Sequence, residues 1–117
     1  MRNALIIDDE IDIWVLLSNI LRKHSFKTYY VSNLDSATKR LEQEAPAIIF
    51  LDNHLPDGMG LDFIRFVKQH YPEVKIVMIT AHEMDAERSK ALTNGADIFI
   101  SKPFSSDAIN HTIKSLL

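Results

Sequence analysis

Short apolar runs alternate with helical patterns along the whole chain, and this alternation constrains the fold more than any other feature. Five runs are predicted to be strands: residues 4–7, 27–31, 47–51, 76–79 and 98–100. Apolar residues recur at helical spacing after each run. A βαβαβαβαβα order calls for a parallel sheet with right-handed crossovers and helices on both faces.

The position of each strand in the sheet follows from its polarity. Four of the runs have no polar face, which is typical of strands covered on both sides, whereas residues 27–31 suit an edge. Among doubly wound orders, 2-1-3-4-5 fits best because it places the polar strand at an edge. We therefore predict a flavodoxin-like α/β fold in which five helices surround a five-stranded parallel sheet. A chain of 117 residues is enough for one domain, residues 1–117.

Capping residues predict where the helices begin and end. Asp12 can serve the first turn of a first helix that ends near His24, and Asn33 can cap a second that runs to about Glu44. Ser106 can cap the last helix. The remaining two helices are predicted over about residues 60–70 and 85–93, the latter ended by an Asn-Gly pair.

Composition excludes several classes of function. The chain has no cysteine, so it has neither disulfides nor thiolate catalysis. Its net charge of −3, without a Lys/Arg cluster, argues against direct binding of nucleic acid. No apolar run approaches the roughly 20 residues that span a bilayer, so we expect a cytoplasmic domain without a membrane partner.

Acidic residues follow two strands that the predicted order makes neighbours. Asp8 and Asp9 come after the first strand, and Asp52 comes after the third. Neighbouring strands lie about 4.8 Å apart, so these carboxylates converge on one edge and repel each other. A divalent cation would relieve that repulsion, and all-oxygen ligands with open positions suit Mg²⁺.

The two remaining strand ends supply a hydroxyl and a positive charge. Thr80 ends the fourth predicted strand, and Lys102, followed by Pro103, comes just after the fifth. A lysine there can pair with a carboxylate before reaction and with a phosphoryl oxygen after it. Acids, cation, hydroxyl and lysine at successive strand ends predict a phosphoryl-transfer site with Asp52 as nucleophile.

On these residues, the chain resembles the receiver domain of two-component response regulators of the chemotaxis-regulator type. The motifs that carry the resemblance stand in the family's order and approximate spacing: Asp8-Asp9, Asp52 followed by Leu-Pro-Asp-Gly-Met-Gly over residues 55–60, Thr80-Ala81, and Lys102-Pro103-Phe104. Each motif alone is weak, but all of them in register are specific. The resemblance covers essentially the whole chain.

The resemblance implies a chemistry for each acid. Asp52 would accept a phosphoryl group from a phosphohistidine on a sensor histidine kinase or a phosphotransfer protein. Asp9, Asp52 and the backbone carbonyl of His54 would bind Mg²⁺ directly, and Asp8 would assist through water. The domain would catalyse its own phosphorylation and dephosphorylation and turn over no diffusible substrate.

The resemblance also implies an output step. Thr80 and Lys102 would contact the phosphoryl oxygens, and the Lys102–Pro103 bond is expected to be cis. Phe99 would turn inward as Thr80 moves, which changes the surface formed by the fourth helix, fifth strand and fifth helix. That surface would address a downstream effector domain or protein. The family often has tyrosine at the Phe99 position, so an output contact through its hydroxyl is in doubt.

Two other functions stay open at this stage. A pseudo-receiver would keep the fold as a phosphorylation-independent protein-interaction module, although the complete set of acids argues against it. A haloacid dehalogenase type phosphatase also uses a strand-end aspartate, but it places its nucleophile after the first strand as Asp-x-Asp, where this chain has Asp8-Asp9.

Individual residues keep alternative roles as well. His54 and His82 either line the approach of water to the phosphoryl group or are solvated loop residues, and Trp14 serves packing or lies at the surface. The last helix carries an apolar strip that predicts either packing on the sheet or a homodimer on activation: Ile109, Ile113, Leu116 and Leu117.

Overall fold

A five-stranded parallel sheet forms the centre of the computed structural model, which describes residues 2–81 and 85–117. The strands are β1 (Arg2–Ile7), β2 (Phe26–Val31), β3 (Ile48–Asp52), β4 (His54–Leu55), β5 (Gly58–Met59), β6 (Lys75–Thr80) and β7 (Ile98–Ser101). The sheet has the order β2-β1-β3-β6-β7, which confirms the predicted order. The short strands β4 and β5 form a separate antiparallel hairpin that the sequence suggested only as a turn.

Five helices connect and flank these strands: α1 (Ile11–Lys23), α2 (Leu34–Gln43), α3 (Gly60–His70), α4 (Asp85–Asn94) and α5 (Ser106–Leu116). Asn33 caps α2 as predicted, because its side-chain oxygen accepts a hydrogen bond from Ser36 N at 2.8 Å. The predicted cap of α5 was wrong by one residue. Ser105 Oγ accepts from Ala108 N at 3.1 Å, and Ser106 is already the first helical residue.

The central strands are apolar on both sides because each face of the sheet is covered by helices. Successive residues of a strand point to opposite faces. Leu5 and Ile49 lie in one core layer with residues of α2, α3 and α4. Ile6 and Phe50 lie in the other with residues of α1 and α5. A strand buried between two layers has no position where a polar residue would be solvated.

The reversal of strand order lies between β1 and β3. The chain leaves β1 for the edge strand β2 and then returns to pair β3 on the other side of β1, with Ile7 opposite Leu51. Open α/β sheets bind ligands beyond the carboxyl ends of the strands at such a reversal. The residues that follow Ile7 and Leu51 are therefore the place to look for a site.

Two predictions about helix faces concern packing. Ile109 and Ile113 of α5 are buried in the core, which confirms packing on the sheet for that part of the strip. Trp14 is half-buried and stacks on Tyr30 with 5.4 Å between ring centroids, so it serves packing. Among residues 2–81 and 85–117, no helix has the length and hydrophobicity needed to cross a bilayer.

Candidate phosphoryl-transfer site

Asp52 is the last residue of β3 and is buried at 6% exposure. Its Oδ1 accepts a hydrogen bond from the backbone N–H of Asn53 at 2.9 Å. Burial is the main reason that the pKa of Asp52 is raised to about 6, and the nearby charge of Asp8 raises it further. The site thus holds this carboxylate in an environment that disfavours its negative charge.

The other two acids come from the end of β1. Asp8 is buried, and its Oδ1 accepts from Glu10 N at 2.8 Å, whereas Asp9 is exposed. One carboxylate oxygen from each of Asp8, Asp9 and Asp52 lies within 4.8 Å of the other two. The predicted convergence of these acids is confirmed. Burial raises the pKa of Asp8 as well, against the hydrogen bonds from Glu10 and Lys102.

Lys102 brings the positive charge into this cluster from the end of β7. Its ammonium group donates to Asp8 Oδ2 at 3.0 Å and lies 3.7 Å from both Asp52 Oδ2 and Glu10 Oε2. Burial disfavours the charged ammonium. The hydrogen bond to Asp8 and the negative charges of Asp52, Asp8 and Glu10 outweigh burial, so the pKa of Lys102 is raised. The predicted pairing with a carboxylate therefore exists, and Asp8 is the nearer partner.

Backbone geometry fixes where that lysine sits. Lys102 N donates to the carbonyl oxygen of Thr80 at 2.9 Å, which ties the end of β7 to the end of β6. The Lys102–Pro103 peptide bond is cis, as predicted. Thr80 is fully buried at the end of β6, and its neighbour Ile79 pairs with Asp52 in the sheet. Thr80 and Lys102 are therefore joined directly by a backbone hydrogen bond at the ends of their strands.

An open depression of about 180 Å³ lies above these groups. Its lining residues come from four strand ends: Asp9, Glu10, Asp52, His54, Ala81 and Lys102. His54 is exposed at its rim. The corresponding interpretation of His82 lies outside the described residues.

The donor set fits a hard divalent cation. Three carboxylates within 4.8 Å, two of them buried and with raised pKa values, supply oxygen ligands and a local excess of negative charge. Mg²⁺ prefers oxygen ligands and keeps several waters, and the open depression leaves room for them.

Two residues of the site were missed from the sequence. Glu10 approaches Lys102 at 3.7 Å and orients Asp8 through its backbone N–H. Asn53 is buried at 1% exposure beside Asp52, and its side-chain oxygen accepts from Leu61 N at 3.0 Å. A polar residue directly after a buried apolar strand was the available signal for Asn53.

Phe99 lies away from the depression, in the core layer covered by α3 and α4. It is buried at 7% exposure, and the guanidinium carbon of Arg88 lies 5.2 Å from the centre of its ring. Its role as a switch stays a prediction.

The sequence matches the family model described as response regulator receiver domain over residues 4–114. Among curated proteins, it is 33% identical to the phosphate regulon transcriptional regulatory protein PhoB of Klebsiella pneumoniae, over 99% of this chain and 52% of that protein. It is 36% identical to the response regulator protein PilR of Pseudomonas aeruginosa, over 87% of this chain and 23% of that protein. The chain spans about half the length of PhoB.

Solved structures agree with these sequence matches. The beryllofluoride-activated NtrC4 receiver domain dimer superposes with a TM-score of 0.94 at 34% identity, covering 99% of this chain and 96% of that one. The receiver domain of NtrX from Brucella abortus superposes with a TM-score of 0.90 at 33% identity, covering 97% of each chain.

Proposed function

Since the chain belongs to the response regulator receiver domains of two-component systems, we propose that it is a switch activated by Mg²⁺-dependent phosphorylation of Asp52. The observation that carries this proposal is the juxtaposition of Asp8, Asp9 and Asp52 with Lys102 at one edge of the sheet. Receiver domains are signalling switches and not conventional enzymes. The chemistry is therefore a change of the protein's own state.

Asp52 is the nucleophile in this proposal. One carboxylate oxygen forms a bond to phosphorus while the bond from phosphorus to the imidazole nitrogen of the donor histidine breaks. The imidazole leaves with the electron pair and takes up a proton from water. Asp52 is suited to this role because the bond from Asn53 N occupies Oδ1 and holds the carboxylate in one orientation.

Asp8, Asp9 and Asp52, together with the backbone carbonyl of His54, would hold Mg²⁺. When bound, the ion supplies neutralisation of the negative charge that the acids and the incoming phosphoryl group bring together. Asp8 would act through water, since its two oxygens already accept hydrogen bonds from Glu10 N and Lys102 Nζ.

Lys102 and Thr80 would contact the phosphoryl oxygens. The Lys102 ammonium already lies 3.7 Å from Asp52 Oδ2. A short movement away from Asp8 would therefore bring it to an oxygen of a phosphoryl group on Asp52. A charge-assisted bond of this kind is roughly twice as strong as a neutral one. Movement of Thr80 with the phosphoryl group would let Phe99 repack and change the face formed by α4, β7 and α5.

The proposed partners follow from this cycle. A sensor histidine kinase or phosphotransfer protein supplies the phosphoryl group, and an effector domain or protein reads the α4, β7 and α5 face. A homodimer on activation is part of the proposal, because the NtrC4 receiver that superposes on this chain is an activated dimer. The proposed compartment is the cytoplasm.

The decisive experiment treats the protein with Mg²⁺ and acetyl phosphate. Intact mass spectrometry should detect one added phosphoryl group on the wild-type chain and none on Asp52→Asn. Labelling of Asp52→Asn would refute the assignment of the nucleophile. An unlabelled wild type without a Mg²⁺ response would favour a pseudo-receiver, and turnover of a generic phosphate ester would favour a phosphatase.

A further inference from the structure

The hairpin between β3 and α3 is a closed structural unit. His54 pairs with Met59 and Leu55 with Gly58, so that Pro56 and Asp57 form a two-residue tip. At the open end of the hairpin, Gly60 N donates to the carbonyl oxygen of Asn53 at 2.7 Å. Residues 53–60 are therefore expected to move together, and the direction of each backbone carbonyl depends on how the whole unit is held.

The base of the hairpin is held against the site and α3. Asn53 N donates to Asp52 Oδ1, and Asn53 Oδ1 accepts from Leu61 N. The backbone passes so close that a Cβ on Gly60 would lie 2.3 Å from the carbonyl oxygen of Asp52. These contacts hold the hairpin only at its base, so without a second attachment the hairpin can tilt about that base.

The tip of the hairpin is held against a different helix. Asp57 Oδ1 accepts from Leu34 N at 2.8 Å, and Oδ2 accepts from Asp35 N at 2.9 Å. These N–H groups belong to the first turn of α2, where they have no partner within the helix. Both bonds favour the charged carboxylate, and they lower the pKa of Asp57. Asp57 thus links the hairpin to α2 across 22 residues of sequence.

We propose that Asp57 is a positioning residue for the Mg²⁺ site, because its attachment to α2 sets the direction of the His54 carbonyl at the other end of the hairpin. This inference rests on the proposed function, in which that carbonyl is a metal ligand. A side-chain ligand can rotate toward a metal, but a backbone carbonyl can be directed only by the chain that carries it. Mg²⁺ demands nearly ideal octahedral geometry, so a tilted hairpin weakens its binding.

The chain offers a matched control for this role. Asn33 caps the same end of α2 by accepting from Ser36 N, and this bond joins residues 33 and 36 without involving the hairpin. Asp57→Ala and Asn33→Ala therefore both remove capping of α2. Of the two, only Asp57→Ala removes the hydrogen bonds that join the tip of the hairpin to α2.

The test is a calorimetric Mg²⁺ titration of the wild type and the variants. Outer-shell partners of metal ligands typically contribute 10- to 100-fold to affinity, and for the exposed Asp57 we expect the low end, about tenfold weaker binding in Asp57→Ala. Asn33→Ala should stay within about twofold of the wild type. Asp57→Asn keeps an acceptor oxygen without the charge, so it should recover part of the loss.

The inference is overturned if Asp57→Ala, folded by circular dichroism, binds Mg²⁺ as the wild type does. It is also overturned if Asn33→Ala weakens binding as much. Amide hydrogen exchange over residues 54–60 separates this inference from the proposed function. Faster exchange in Asp57→Ala than in Asn33→Ala shows the attachment of the tip even if the wild type binds no Mg²⁺, and equal exchange in the two variants contradicts it.

Discussion

Two lysine–aspartate pairs lie at opposite ends of the parallel strands, and they differ in how their charges are balanced. At the end of the sheet where β6 and β7 start, Nζ of Lys68 in α3 lies 3.1 Å from Oδ2 of Asp97, the residue before β7. Where those strands end, Lys102 Nζ lies 3.0 Å from Asp8 Oδ2. The distances are nearly equal, so distance alone does not tell a structural pair from a functional one.

The pair of Lys68 and Asp97 joins one positive charge to one negative charge, and both residues also bond to the backbone. Lys68 Nζ also donates to the carbonyl oxygen of Val74 at 2.8 Å, and Asp97 Oδ2 also accepts from Ile76 N at 2.8 Å. Both backbone groups lie at or next to the start of β6, so the pair ties α3 to the start of that strand. Such a pair braces α3 against the sheet.

The pair of Lys102 and Asp8 stands in an excess of negative charge. The side chains are 10% and 3% exposed, against 22% and 24% for the other pair, and two further acids lie 3.7 Å from the ammonium. After burial, the negative charge of Asp8 is the second largest cause of the raised pKa of Asp52. Surplus negative charge at a buried strand end therefore separates the proposed cation site from a structural ion pair.

The largest effect should come from replacing Lys102, with the replacement of Lys68 as the control. Lys102→Met should still bind Mg²⁺ but lose the phosphorylation-induced changes in amide chemical shift over α4, β7 and α5, because no ammonium follows the phosphoryl group. Lys68→Met should respond as the wild type does. A normal response in Lys102→Met would break the distinction between the two pairs.

Addition of Mg²⁺ should have the next largest effect, on stability. At a concentration 100 times its dissociation constant, Mg²⁺ should raise the free energy of unfolding by about 2.7 kcal/mol through linkage to the native state. Urea denaturation with and without the ion measures this increment, which should be the same in Lys68→Met. An equal free energy of unfolding with and without Mg²⁺ would contradict a metal site among the acids.

Removal of the ion pair between Lys68 and Asp97 should have a smaller effect on stability. Lys68→Met removes the donor to Asp97 and to the Val74 carbonyl, and since both pair members are partly exposed, we expect a cost of about 1–2 kcal/mol in unfolding free energy. Its rate of phosphorylation by acetyl phosphate should stay within about twofold of the wild type. Loss of that reactivity in folded Lys68→Met would give this pair a functional role.

The raised pKa of Asp52 predicts a pH dependence of the stability of the metal-free protein. Folding raises the pKa of Asp52 from its ordinary value of 3.8 to about 6, so ionisation is costlier in the native than in the unfolded state. Stability should therefore fall as the pH rises from about 4 to 6 and level off above. Asp52→Asn should remove this fall, which is about 2–3 kcal/mol because each pKa unit corresponds to about 1.4 kcal/mol, in urea denaturation with EDTA. A difference between Asp52→Asn and wild type that is constant from pH 4 to 7 would contradict this balance.

Local patterns predicted those parts of the fold that depend on neighbours in sequence. The bounds of α3 follow from an apolar face at helical spacing, and the predicted cap at Asn33 was confirmed because it bonds three residues away. Ser105 and Ser106 are adjacent residues with equal capping chemistry, so the sequence could not choose between them. The backbone approach to the helix decided for Ser105.

The order of elements and the convergence of the acids follow from local patterns, because a parallel sheet brings the carboxyl ends of neighbouring strands to one edge whatever lies between them. Long-range packing, in contrast, sets three contacts: Lys102 lies nearer to Asp8 than to Asp52, Asn53 is buried beside the site, and Asp57 accepts hydrogen bonds from α2. These contacts depend on differences of less than an ångström between groups far apart in the chain. No local spacing encodes such differences, since they arise from the packing of all the elements together.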